Sequence, residues 1–134
     1  SGPLLDRIDI QCEIVPVPFE KISDTQPSEP SEKIRERVIA ARQQQSKRFE
    51  NYPGFYCNAQ MTTRLLNEFA QPDEAGLKRL KDAMTRFNLS ARAYDRILKV
   101  ARTIADLDHS DTVQAHHISE AISYRNLDRE NWAG

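Results

Sequence analysis

The chain has 134 residues, enough for one ordinary domain with a real core. Its 19 basic and 20 acidic residues leave a formal charge of -1, so no overall positive field draws nucleic acid and no acidic tail repels it. There is no run of about 18 apolar residues for a membrane span and no signal-peptide pattern, which makes a cytoplasmic protein with no membrane partner the expectation.

Ile8, Ile10, Cys12 and Ile14 alternate with Asp9, Gln11 and Glu13, the period-two pattern of a half-buried strand. Pro16 and Pro18 end regular pairing, and no later segment offers a partner. The spacing therefore predicts one orphan strand over residues 8–15, belonging to a sheet that lies mostly upstream. The start, with no methionine and almost immediate alternation, is that expected of a piece of a longer chain. Cys12 and Cys57 are far apart and lack companions at metal-ligand spacing, so two free, buried thiols are expected. Residues 19–30, with Ser23, Thr25, Pro27, Ser28 and Pro30, read as a linker.

The remainder predicts helices. Ser28 is placed to cap a first helix running to about Phe49, with Pro30 near its start and a thin stripe of Ile34, Val38 and Ala41. Asn51-Tyr52-Pro53-Gly54 is a turn, and Asn58 is placed to cap a short helix carrying Met61, Leu65, Leu66 and Phe69. Pro72 breaks that helix and stands near the start of the next, whose face is Leu77, Leu80, Met84 and Phe87. Ser90 then caps the strongest segment, with Tyr94, Ile97, Leu98, Ala101, Ile104 and Ala105 at steps of three and four. A last helix from about Ala115 carries Ile118, Ala121 and Ile122, and the polar tail at 128–134, with Trp132, is expected to fray. The fold class is mainly α: a bundle of four to five helices behind the orphan strand.

Chemistry is scarce. Gly2, Gly54, Gly76 and Gly134 do not cluster, so no phosphate-binding loop is present, and no apolar strand ends in an acidic pair for Mg²⁺. His116 and His117 are adjacent and point about 100° apart on a helix, not at the i, i+4 spacing of paired ligands. With His109 they read as cap or surface residues, and no metal site is expected. Asp6 and Asp9 have no base or nucleophile nearby.

The arginines are more informative. Ser90 as N-cap makes Arg92 the second helical residue, where a cation meets unpaired N–H groups at a cost of roughly 0.3–1 kcal/mol. That position is also an anion site, and two readings stand: an incidental cation or part of a phosphate clamp. Arg92, Arg96 and Lys99 share a flank that Arg102 continues, read either as a solvated face or as a basic ridge over 92–102 for a nucleic-acid backbone or a protein. Arg35, Arg37, Arg42, Lys47 and Arg48 form a surface stretch interrupted by Glu36 and Glu50. Arg7, flanked by Asp6 and Asp9, is either a local salt-bridge partner or an arginine offered to a neighbour's phosphate.

Three stretches carry a family resemblance: Ser1-Gly2-Pro3-Leu4-Leu5-Asp6-Arg7-Ile8-Asp9, the run from Leu89-Ser90-Ala91-Arg92 through Arg96 to Leu107, and Ala121 through Arg129. In combination and order the chain resembles the C-terminal part of magnesium-chelatase-like AAA+ ATPases of the ComM/YifB family. The resemblance implies that residues 1–18 are the end of the ATPase core with its edge strand, 19–30 a linker, 31–127 the helical lid and 128–134 a flexible tail. It also implies roles for three arginines. Arg7 matches the arginine finger that reaches the γ-phosphate held by the next subunit, and Arg92 matches the sensor-2 arginine on the phosphates of ATP. Arg96 is a weaker companion to Arg92. Members form ring-shaped hexamers, and ComM proteins promote DNA branch migration. ATP, Mg²⁺, self-assembly and DNA are thus implied for the whole protein, and no bound cofactor or ATPase activity for these residues alone.

Overall fold

Apolar residues at steps of three and four produce helices wherever they recur. In the computed structural model, which describes residues 2–125, the order is α1 (Gly2–Leu5), α2 (Phe19–Ile22), α3 (Ser31–Arg48), a 3₁₀ turn (Asn58–Gln60), α4 (Thr63–Phe69), α5 (Glu74–Arg86), α6 (Ala91–Leu107) and α7 (Ala115–Ser123). The mainly α architecture follows the sequence reading. α6 is the central element and packs against α7, α3, α4 and the 3₁₀ turn, while α5 packs on α7. Ala93, Ala101 and Ala105 on α6 are fully buried and add little bulk, which lets its neighbours approach closely. Leu66, Leu80, Ile97, Leu98 and Ile118 fill the space between helices. Phe49, Tyr52 and Phe69 meet edge to face, with ring centroids 5.6–6.4 Å apart, and fasten the loop after α3 to α4.

Helix ends follow local chemistry, with two corrections. Ser90 Oγ accepts the Ala93 N–H at 3.1 Å and Asp73 Oδ1 accepts that of Gly76 at 2.8 Å, both as N-caps. Ser28 does not cap α3; the cap residue is Pro30, which has no side-chain acceptor. Asn58 does not cap a helix either. It is buried in the 3₁₀ turn, and Thr62 Oγ1 caps α4 instead by accepting the Leu65 N–H. At the other ends, Asn88 and His109 take left-handed backbone conformations (φ 49° and 55°). The Leu89 N–H then reaches the Met84 carbonyl, and the Ser110 N–H the Ala105 carbonyl, closing α5 and α6.

The expected strand at 8–15 does not form, and no named strand occurs among the described residues. The one β-type pairing there is an isolated parallel bridge between Pro72 and Val113. The reason lies in hydrogen bonding: the Gln11 N–H goes to the Tyr124 carbonyl and the Ile8 carbonyl to Arg125, so the bundle holds this strap where a partner strand would. Its alternating residues find nothing to bury against, and Ile14 is 89% exposed. Cys12 is consequently exposed and Cys57 half-buried; both are free, but the expected burial fails. The linker at 19–30 contains the single turn of α2. The expected tail at 128–134 lies outside the described residues.

Gly76 marks the closest approach at the α5 end. A Cβ there would sit 2.9 Å from the Pro72 Cβ and 3.3 Å from the Val113 carbonyl oxygen. Helix propensity alone favours Gly76→Ala by about 1 kcal/mol. Steric crowding by a proline ring and a backbone oxygen is expected to reverse the sign, with a net loss of about 1–3 kcal/mol in urea unfolding. A gain in stability would contradict this packing.

Candidate functional site

Arg92 occupies the second position of α6, is exposed, and makes no hydrogen bond or ion pair among the described residues. The helix start beneath it is well formed because Ser90 caps it. A free guanidinium therefore stands beside N–H groups at the positive end of a 17-residue helix.

Arg7 lies close in connectivity to that helix start. Ser90, while capping, donates its hydroxyl to Asp6 Oδ2 at 3.0 Å, so the residue before Arg7 is fastened two positions before Arg92. The local salt bridge that Asp6 and Asp9 offered to Arg7 is not made. Asp9 Oδ1 accepts from Arg96 at 2.6 Å, and Asp6 faces Ser90 and Arg125. Arg7 remains exposed and donates from Nη1 to the Pro3 carbonyl at 3.2 Å. Arg96 is thus committed to the strap.

The basic ridge over 92–102 is interrupted in a second way. Each step of three residues turns the helix face back by about 60°, so two steps from Arg96 carry Arg102 about 120° round α6. Arg102 is buried there and donates to the carbonyls of Phe69, Ser110 and Asp111 at 2.6–3.3 Å. Arg48, grouped with the surface stretch by sequence, also turns inward. It grips Asp106 in a fork, Nη2 to Oδ1 at 2.6 Å and Nη1 to Oδ2 at 2.9 Å. Asn58 joins them, accepting from Arg48 and donating to Asp106 and Thr103, and its own N–H goes to Gln45. Burial lowers the Arg102 pKa, and the Asp106 charge opposes that shift. A depression of about 210 Å³ lies over this network, with Gln44, Glu68, His109 and Asp111 on its rim. Its two guanidiniums are largely engaged by Asp106 and backbone carbonyls, which makes it a structural cluster and not a phosphate cradle.

Two of the histidines close helix ends. His109 closes α6 in its left-handed conformation. His117, fully buried, accepts the Gln114 N–H at Nδ1 (2.9 Å), which leaves the proton on Nε2, 2.8 Å from Asp108 Oδ2. His116 Nε2 stands 3.2 Å from the same oxygen. These three side chains are close enough to share a metal ion. A metal on His117 Nε2 would require the proton on Nδ1, donor facing donor against the Gln114 N–H. The arrangement suits a helix cap and not a metal centre.

Sequence reasoning missed Arg125 and Asp106. Arg125 follows Ile118 and Ile122 at steps of four and three, so it sits in the core-facing register of α7 and is 1% exposed. Asp106 stands at i+4 from Arg102, the spacing of a helical ion pair, which the structure shows at 3.2 Å.

This geometry belongs to a recognisable class, a helical C-terminal domain of the magnesium-chelatase type. Residues 28–125 match the family model described as "Magnesium chelatase, subunit ChlI C-terminal", and the chain belongs to that family. It is 39% identical over 130 residues to protein YifB of Escherichia coli strain K12, covering 96% of this chain and 25% of that protein. It is 37% identical to YifB of Salmonella typhimurium with the same coverage. Against "Competence protein ComM" of Haemophilus influenzae the identity is 34% over 130 residues, again 96% of this chain and 25% of the relative. The chain thus spans about a quarter of the length of these relatives.

Two outcomes follow from the site's electrostatics. Asp106→Ala leaves Arg48 and Arg102 without their shared carboxylate and is expected to cost about 3–5 kcal/mol, read as a lower urea midpoint at unchanged slope. Hydrogen bonds from His117, then His116, hold the Asp108 carboxyl below its ordinary value of 3.8. A depressed folded-state pKa contributes stability above the unfolded value and loses it as pH falls through the folded one. Thermal unfolding of the wild type should therefore fall more steeply than that of Asp108→Asn as pH drops below about 3.8. Parallel acid limbs would contradict the assignment.

Proposed function

We propose that this chain is the lid portion of a ring-forming, hexameric AAA+ ATPase that couples ATP binding and hydrolysis to DNA remodelling in the cytoplasm. The observation that carries the reading is Arg92, an exposed guanidinium without a partner among the described residues, at the start of a capped helix. A free cation beside helix N–H groups fits the phosphates of ATP, and bidentate contact there links lid position to nucleotide state. Arg7 is the finger, directed in trans to the γ-phosphate on the next subunit. It is suited to this role because the acids beside it are engaged elsewhere, so its charge is not neutralised locally. Negative charge spreads over the transferring phosphoryl group, and a guanidinium from the neighbour makes hydrolysis depend on assembly. The chain's own sequence has no phosphate loop, and Asp6 and Asp9 are engaged, so the ligands for Mg²⁺ come from the core of the whole protein in this reading. DNA as the substrate is carried over from the resemblance to ComM proteins, one of which is among the matched relatives.

In the whole ATPase, Arg7→Ala is expected to lower kcat by about 10³-fold or more without disassembling the ring, measured by phosphate release alongside light scattering. Wild-type turnover in an intact ring would contradict the finger. Arg92→Ala is expected to impair ATP binding or hydrolysis while the circular dichroism spectrum stays unchanged, because a cation at a helix start contributes no stability. A loss of folding would assign Arg92 to structure.

A further inference from the structure

The residues on both sides of Arg7 are pinned by Ser90 and Arg96, at and near the start of α6, and by Tyr124 and Arg125, just past the end of α7. Before Arg7, Asp6 accepts the Ser90 hydroxyl, and its carboxylate lies 3.6 Å from Arg125 Nη2. After it, the Ile8 carbonyl accepts from Arg125 Nη1 at 3.0 Å, and Asp9 takes the charge-assisted bond from Arg96. Gln11 closes the run: it is 6% exposed, its N–H goes to the Tyr124 carbonyl at 2.7 Å, and its side-chain amide reaches back to the Leu5 carbonyl at 2.9 Å. Beyond Gln11 the hold ends, since residues 12–22 are exposed throughout.

The chemistry of these contacts is unusual for a surface strap. A guanidinium buried as completely as that of Arg125 needs acceptors for its N–H groups, and the strap's backbone provides them. The strap in turn has no sheet partner among the described residues, so its carbonyls depend on Arg125. Arg96 adds a short ion pair that is partly shielded from water, with the Arg96 side chain 28% exposed. Each side supplies hydrogen-bond partners to the other, and the strap from Asp6 to Gln11 docks on α6 and on the chain just past α7.

We infer that Arg96 and Arg125 are positioning residues that lock the segment bearing Arg7 onto the helix bearing Arg92, so that the two arginines move as one body. This rests on the finger and sensor reading of those arginines. Nucleotide contact at Arg92 in one site then sets where Arg7 is presented to the next, and the latch relays the state of one site to its neighbour. Arg96 acts through Asp9 and does not touch the nucleotide.

The test uses the whole ATPase and Arg96→Gln, which removes the ion pair while leaving the buried Arg125 intact. A misplaced finger should lower kcat by about 10–100-fold, with KM for ATP within about twofold of wild type. The charge swap Asp9→Arg with Arg96→Asp should recover most of that loss, which a merely structural defect would not allow. Amide exchange at Gln11 should accelerate in Arg96→Gln while exchange in α4 and α5 stays unchanged. Unchanged kcat, in a protein whose Arg7→Ala variant is inactive, would overturn the latch and leave the finger reading standing. A rise in KM at constant kcat would overturn it by making Arg96 a nucleotide ligand. A swap that recovers nothing would also overturn it. If Arg7→Ala itself turns over normally, the finger reading fails and the inference falls with it.

Discussion

Asp106 is the interaction on which the arrangement depends. One carboxylate, 2% exposed, is shared by Arg48 from α3 and Arg102 from its own helix, with Asn58 from the 3₁₀ turn closing the set. Through Arg102 the same network reaches the carbonyl at the end of α4 and those of the loop leading to α7. Ionic groups buried this deeply gain little net energy over apolar ones of equal size, but they tolerate only one geometry. α6 is thereby held at its C-terminal half in a fixed rotation against α3. About 21 Å along the axis, the helix start that carries Arg92 inherits that rotation.

The basic residues divide into those that build the fold and those that do not. Arg102 and Arg125 are buried and Arg48 is partly so, each bonded to a carboxylate or to carbonyls, and Arg96 is bound to Asp9. Arg92 and Arg7 stand outside, with no carboxylate partner among the described residues. Proteins rarely leave an arginine at a helix N-terminus for stability, because the macrodipole opposes it. Arg35, Arg42 and Arg64 are exposed as well, so Arg92 is set apart by its place at the start of α6 and not by exposure alone. The engagement of its neighbours narrows the alternative basic-ridge reading, which loses Arg96 to an ion pair and Arg102 to the interior.

Much of this was legible from the chain alone where a local rule decided the outcome. Ser90 as a cap and the three-and-four spacing behind it fixed α6 and hence the position of Arg92. The adjacency of His116 and His117 predicts rings that point apart, yet both reach the same Asp108 oxygen, and it is the cap bond at His117 Nδ1 that speaks against a metal. Rules that depend on a partner were not legible. Alternation at 8–14 described a strand's period but not its sheet, and without one the segment docks through Arg125 and Gln11 as irregular chain. Ser28 and Asn58 had the right chemistry for caps, but Pro30 and Thr62 occupied those positions. Arg102 carries a surface residue's charge, but its rotation round the helix takes it inside. Arg125 had a signal in its core-facing register that its charge concealed.

The decisive measurement is a structure of the whole assembly with a non-hydrolysable ATP analogue. The Arg92 guanidinium is expected within hydrogen-bond distance of a phosphate oxygen, and Arg7, still latched through Asp6 and Asp9, directed at the γ-phosphate of the adjacent subunit. Arg92 turned to solvent or to a carboxylate of its own chain, with nucleotide fully bound, would contradict it.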